Sequence, residues 1–212
     1  MNTSIKEAML SALGQFASVN NQGHEAFSQV LVHVFSSEKT YLDKVASLDA
    51  AFDDHSLFES LRELFFDLLL INFFNEDVSK LEEHYLDSPE WEKIEGKTID
   101  RGTEILNLLL YLQECQDEEI EPELSDFLRE FLLVDEDEFQ DEHRIYEEVI
   151  ANQILVESSL KEVARVSSTL PEDSELKELF YSMIGFFRDP DPTDEDFNEF
   201  IKYSENPDFD SA

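Results

Sequence analysis

The sequence predicts an all-α protein, a single-domain bundle of about eight or nine helices. Three observations carry this. Apolar residues recur at helical spacing along most of the chain, alternation of the strand type is weak, and only five Gly and six Pro punctuate 212 residues. Hydrophobic residues make up 42% of the chain and eighteen are Phe. A sizeable core can therefore be built, which a disordered acidic segment could not do. The length suits one domain. The expected division is one helical domain over 1–203, with near-neutral N-terminal helices over 1–50 and an acidic bundle over 51–203. A softer, frayed acidic tail should follow over 204–212.

Ser4, Ile5, Lys6 and Glu7 make a capping-box pattern, and Ile5, Met9, Leu13 and Phe16 fall on one stripe behind it. That helix should stop near Asn20-Asn21-Gln22-Gly23. A second is expected over 24–36 with Phe27, Val30, Leu31, Val34 and Phe35 inward, and a third over 38–48 with Tyr41, Val45 and Leu48 inward. Residues 57–74, LFESLRELFFDLLLINFF, have one polar stripe (Glu59, Arg62, Glu63, Asp67) and apolar faces elsewhere, which predicts a central helix. A shorter helix should run from Glu76 to about Tyr85. Pro89 then suits the first turn of a helix that buries Trp91 and Ile94. Residues 101–116 carry Ile105, Leu108, Leu109 and Leu112, with Thr98 or Asp100 as cap.

Glu121-Pro122 opens a helix lined by Leu124, Phe127, Leu128, Phe131 and Leu132. Its LSDFLREFLL resembles LFESLRELFF at 57–66, which is read as two amphipathic helices written in one alphabet. A long helix is expected over 139–168 with Ile145, Val149, Ile150, Ile154, Leu160, Val163 and Ala164 inward, then helices over 173–187 and 193–203. The predicted core is Leu13, Phe16, Phe27, Leu31, Phe35, Leu61, Leu64, Phe65, Leu68, Leu69, Ile71, Leu108, Leu112, Phe131, Ile154, Phe180 and Phe187.

Charge is the most unusual feature. Fifty-one acids face fifteen bases, a formal net charge of −36. Residues 1–50 hold five acids and three bases, whereas 113–148 hold sixteen acids and two bases. Such a field repels nucleic acid and anionic membrane and attracts basic proteins and cations. Direct nucleic-acid binding is thereby excluded as an expectation, and a protein partner, basic in character, is favoured. A halophilic adaptation or plain solubility would also account for the acidity. Cys115 is the single cysteine, so no intrachain disulfide is possible, and a reducing, cytoplasmic setting is expected. MNTSIKEAML lacks the continuous apolar run of a secretory signal. The longest apolar run, LLLYL at 108–112, is far short of a membrane span.

Motifs for chemistry are missing. Glu-x-x-His and HExxH are absent around His24, His33, His55, His84 and His143, and the acidic runs at Asp135 and Asp189 fail the spacing of a calcium loop. There is no Gly-x-Ser-x-Gly and no phosphate-binding loop. Cys115 stands among Glu114, Asp117, Glu118 and Glu119, which disfavours a thiolate. Asp67 is the one acid inside an apolar helix that suits a catalytic carboxylate. The sequence therefore predicts no enzyme, no cofactor and no metal.

The candidate interaction face is acidic: Glu130, Asp135, Glu136, Asp137, Glu138, Asp141, Glu142, Glu147 and Glu148. A partner-binding role of the chaperone, adaptor or inhibitor type is the leading expectation. The alternative is a DNA mimic, since duplex DNA carries about one charge per 1.7 Å and helical acids four apart rise by about 6 Å. Acids at 114, 118, 121, 126, 130, 135, 138, 142 and 147 would form such a row. An enzyme with no recognisable motif is third. RELFFDLL at 62–69 and the pair Phe180-Tyr181, with the size, acidity and helical content, are similar to cytoplasmic maturation chaperones of the TorD type. That family's Pro-Asp-His motif is absent, with Glu121-Pro122-Glu123-Leu124 in the region where it would fall, and no residue role is carried over.

With a net charge of −36 on a chain of this size, self-repulsion among the carboxylates opposes compaction, and either salt screening or partial neutralisation by protons relieves it. The melting temperature should therefore climb between about 10 mM and 500 mM NaCl as the Debye length shrinks. It should climb again on mild acidification towards about pH 5. A scanning-fluorimetry series in salt and pH checks this, and an unchanged or falling value counts against it.

Overall fold

A computed structural model describes residues 1–77, 80, 83–97, 100–131, 145–174 and 176–212, with the backbone alone for residues 83, 86, 100–106, 130 and 131. The protein is all-α: among the described residues there is no strand, and nine helices run seven residues or longer. The chain divides into two compact units, Met1–Thr103 with Ser211–Ala212, and Glu104–Asp210. The division falls within a helix, not at the change in acidity near residue 51.

The first unit is built from α1 (Thr3–Val19), α2 (Glu25–Ser36), α3 (Tyr41–Asp53), a 3-10 helix (Ser56–Leu61), α4 (Arg62–Glu76), α5 (Glu83–Leu86) and α6 (Pro89–Glu95). α1 is capped by Asn2, whose side chain accepts from the Ser4 amide, two residues before the expected capping box. It ends where Asn21 takes a positive φ of 53°, a conformation Asn tolerates. Thr40 caps α3 and Ser88 caps α6, with Pro89 in the first turn as the sequence requires.

Aromatic rings fill the core of this unit. Phe27 meets Phe52 edge to face at 5.1 Å and stacks on Phe58 at 4.8 Å, and Phe52 meets Phe65 at 5.7 Å. Ten of the expected core residues are buried: Leu13, Phe16, Phe27, Leu31, Phe35, Leu61, Phe65, Leu69, Phe180 and Phe187. Leu64, Leu68 and Ile71 are only half-buried: residues 57–74 form a 3-10 helix followed by α4, and α4 buries Phe65, Leu69, Leu70, Asn72 and Phe74 instead. Val30, expected inward, is 38% exposed; the buried face of α2 is Phe27, Leu31, Val34 and Phe35.

Two cationic knots tie this unit. Arg62 donates to Asp49, to Asp53 at 2.7 Å and to both oxygens of Glu59 at 2.9 and 2.8 Å, and its guanidinium lies over the Phe52 ring. Buried Lys44 donates to the Phe35 carbonyl at 2.9 Å and lies 3.5 Å from Glu76, which also receives the terminal ammonium of Met1 at 2.9 Å. Burial raises the Glu76 carboxyl, but the terminal ammonium, Asn72 and Lys44 outweigh it and hold it below its usual value.

The second unit contains most of α7 (Asp100–Glu118), α8 (Leu124–Asp126) running into a π-helical turn (Phe127–Phe131), α9 (Glu147–Ala151), a 3-10 helix (Gln153–Glu157), α10 (Leu160–Ser167), α11 (Lys177–Arg188), α12 (Asp194–Tyr203) and α13 (Pro207–Asp210). Among the described side chains of α7, Tyr111 and Cys115 are buried, and Leu108 and Leu112 pack beside them half-buried. Tyr111 donates to the Glu123 carbonyl at 3.0 Å and accepts from the Glu123 amide at 2.8 Å, which anchors the turn after α7. Glu119, with φ at 56°, ends that helix.

The expected long helix over 139–168 is broken. Asn152 leaves helical geometry, Ser158 and Ser159 are extended, and Ser159 starts α10 as its cap. Polar side chains that bond their own backbone compete with helix continuation: the Asn152 amide donates to the Glu148 carbonyl and Ser158 to the Ile154 carbonyl. Ile154, expected in the core, therefore turns outward and is 68% exposed. The two similar segments differ as well, the first passing from 3-10 into α4 and the second from α8 into a π turn. Thr98, Leu132 and residues 139–144 lie outside the described residues, as do the side chains of Ile105 and Phe131.

The tail is folded where fraying was expected. Phe209 is buried, and Asp210 accepts from Ser182 of α11 at 2.8 Å and from Ser204.

Phe52 carries both the aromatic contacts and the underside of the Arg62 knot. Phe52→Ala should cost about 3–5 kcal/mol, the range for emptying a buried ring site. Val30→Ala should change stability by less than about 0.5 kcal/mol, as exposed sites do. Urea unfolding of the two variants beside the parent checks both.

Candidate functional site

The expected acidic face falls mostly beyond description. Asp135, Glu136, Asp137, Glu138, Asp141 and Glu142 lie outside the described residues, as does the side chain of Glu130. Glu147 is exposed and Glu148 half-buried in the first turn of α9, where acids offset the positive end of a helix. The described members of the proposed row are divided: Glu114 and Glu118 on α7, Glu121 in the connection, Asp126 on α8 and Glu147 on α9. Asp67 lies half-buried on α4, and its charge, after burial, helps push the Tyr41 phenol above its ordinary range.

His24 and His55 serve local structure. His24 pairs with Ser28 through Nδ1 at 3.0 Å, and His55 stacks on Phe27 while its Nδ1 donates to the Ala51 carbonyl at 2.8 Å. Cys115 is free and buried. Among the described residues, no group of three His, Cys, Asp or Glu comes together as a metal site. No described helix is long and apolar enough to cross a membrane.

What the fold does build is a cleft of about 230 Å³ in the second unit, between α11, α12 and the Asp189–Pro192 connection. Its making starts with Gly185. A Cβ there would stand 2.6 Å from the Phe200 ring, so only glycine lets α12 close on α11. Phe200 then stacks on Tyr181 at 4.6 Å, and the Tyr181 hydroxyl donates to the Phe200 carbonyl at 2.7 Å. Thr193 and Asp196 form a full capping box at the start of α12, which satisfies that helix end.

The cleft is lined by apolar surface from Phe186, Phe197, Phe200, Pro190 and Pro192, and Phe186 is 36% exposed. Three carboxylates, Asp189, Asp196 and Asp210, share it with one cation, Arg188, whose Nε donates to the Ser158 carbonyl at 3.1 Å. Burial pushes the Asp210 carboxyl above its usual value, against the pull of the hydrogen bonds from Ser204 and Ser182. Asp189 is half-buried just past the last turn of α11; its amide donates to the Gly185 carbonyl at 3.1 Å, but its carboxylate makes no hydrogen bond or ion pair among the described residues. A second hollow, of about 490 Å³, lies beside the exposed Ile154 with Leu124, Val156 and Phe187, and is rimmed by Glu123 and Glu157.

The chain matches no family model, no curated protein and no solved structure. The likeness to TorD-type chaperones thus rests on size, acidity, helical content and two short segments, and assigns nothing here.

Sequence reasoning missed this cleft for a definite reason. Asp210 falls in a stretch that reads as a fraying tail, and its partners Ser182 and Ser204 carry no motif. The Thr193–Asp196 cap and the apolar spacing of Phe197 and Phe200 were the signals present in the sequence.

Asp210 has a raised folded value, so the folded state binds its proton more tightly than the unfolded state does. Stability from this group falls as pH rises from the ordinary value of 3.8 through the raised one, and returns on acidification. Asp210→Asn should therefore flatten the gain in stability between about pH 7 and pH 4 relative to the parent. Urea midpoints at several pH values check this.

Proposed function

We propose that this protein is a non-enzymatic binder of a protein partner, with the α11–α12 cleft as its docking site. The observation that carries this is an open, phenylalanine-lined cleft with unbalanced carboxylates on a chain of net charge −36. Exposed aromatic surface beside a polar rim is the composition of a protein-binding patch. The surrounding field gives long-range attraction to basic partners and discriminates against acidic ones.

The site's chemistry favours binding over turnover. Among the described residues no histidine or cysteine lines the cleft, and the hydroxyl groups of Ser182 and Ser204 are spent as donors to Asp210. DNA mimicry asks for carboxylates on one rigid support, whereas the described acids of the proposed row sit on separate elements. The cytoplasmic setting expected from the lone cysteine belongs to the same proposal.

A photo-crosslinking amino acid at position 186, in the full chain in host extract, tests the reading. One recurrent protein should be captured at 186 and lost when the crosslinker is moved to exposed position 30, with the crosslink mapped to a defined segment of that protein. Capture of DNA-binding proteins, released by added duplex at low micromolar concentration, would move the assignment to mimicry. Equal capture at both positions would overturn the cleft as the docking site.

A further inference from the structure

The cleft's dimensions and charges narrow the occupant further, on the reading that it docks a protein partner. We infer that it takes a basic amphipathic helical segment, one apolar side chain entering between Phe186, Phe197 and Phe200 and a neighbouring Lys or Arg meeting Asp189.

Size argues first. Pockets for cofactors and drug-sized ligands run to about 300–1,000 Å³. At about 230 Å³, this cleft suits one or two anchor side chains of a larger ligand. Its walls are rings and prolines, which present flat apolar surface and lose little side-chain freedom on binding.

Charge argues second, and gives the sign. Asp189 directly follows α11, a helix of twelve residues. The carboxylate and the helix's negative C-terminal end therefore add at one place. Asp189 has no cation or hydrogen-bond donor on it among the described residues, although it is half-buried. A carboxylate kept partly from water without a partner gains from an incoming ammonium or guanidinium. Asp196 and Asp210 extend the negative lining, and Arg188 offsets one of the three charges. The opposite dipole end, at the start of α12, is already satisfied by the Thr193–Asp196 capping box, so it offers no competing anion site.

Partner class follows. A second copy of this chain brings another −36 and is repelled. A compact organic cation would satisfy Asp189 but leave the ring surface exposed. A helix with apolar residues on one face and bases beside them satisfies both and gains from the wider field.

Fluorescence anisotropy with the full-length protein tests this. The probes are three labelled peptides of about five helical turns: Leu/Lys amphipathic, Leu/Gln of the same pattern, and Gly/Ser/Lys with the same charge but no apolar face. The Leu/Lys peptide should bind the parent most tightly. Phe186→Ala should weaken it about tenfold, as loss of an aromatic anchor does. Asp189→Asn, a half-exposed conservative change, should weaken it several-fold and reduce its salt dependence. The Gly/Ser/Lys peptide should bind weakly and respond to neither substitution. Circular dichroism of both variants, with Asp189→Asn as the change least able to disturb packing, separates lost binding from lost fold.

Leu/Lys binding that ignores both substitutions would overturn the inference and assign attraction to the general field or to the hollow beside Ile154. Tighter binding of the Leu/Gln peptide would overturn the basic requirement. Full displacement by spermidine or a tetraalkylammonium at concentrations comparable to the peptide would assign the cleft to a small cation instead. If all three peptides fail while crosslinking at 186 still recovers a partner, the basic-segment assignment falls and partner binding stands.

Discussion

Fifteen cationic side chains must serve fifty-one acids, and that imbalance constrains every other choice in the structure. Coulomb repulsion among surface carboxylates works against compaction, so apolar burial must exceed it. The chain answers with rings. Eighteen phenylalanines give large buried areas per residue at small entropic cost, and edge-to-face contacts add a directional term. In the first unit Phe27, Phe52, Phe58 and Phe65 form one continuous cluster. In the second, Tyr111, Phe127, Tyr146 and Phe187 do the same.

Scarce cations are shared. Arg62 serves three carboxylates from α3 and the 3-10 helix while covering Phe52. Lys44 and the terminal ammonium converge on Glu76, which draws α1, α3 and α4 together. Single exposed pairs contribute little, but a planar guanidinium held by several acids keeps its geometry and orders the segments that supply them. Where no cation is available, hydroxyl groups take the role, as Ser182 and Ser204 do for Asp210.

The cleft is the place where this economy is left incomplete. Its ring surface is uncovered, the Asp189 carboxylate has no partner among the described residues, and a helix end adds negative potential beside it. Elsewhere the described acids are solvated, capping, or paired. The site thus combines the two things the rest of the molecule works to cover: apolar surface and unbalanced carboxylate. That conjunction distinguishes it from the broad acidic surface, whose charge alone specifies no partner.

Composition and periodicity determined the helical class, the stripe Ile5–Met9–Leu13–Phe16, the Pro89 helix start and part of the aromatic core (Phe16, Phe27, Phe35, Phe65, Phe180 and Phe187), because these depend on spacing within one helix turn or two. The acidity, and hence the exclusion of a basic nucleic-acid surface, was equally a property of the sequence. Only the tertiary structure decided that Ile154 faces outward, since Asn152 and Ser158 win local hydrogen bonds against a periodicity that reads through them. It also decided that Asp67 sits near Tyr41 while Asp210 enters the cleft: Asp210 is placed by a hydroxyl 28 residues away. Burial of a polar residue depends on which distant partners reach it, and no spacing along a single helix records that distance.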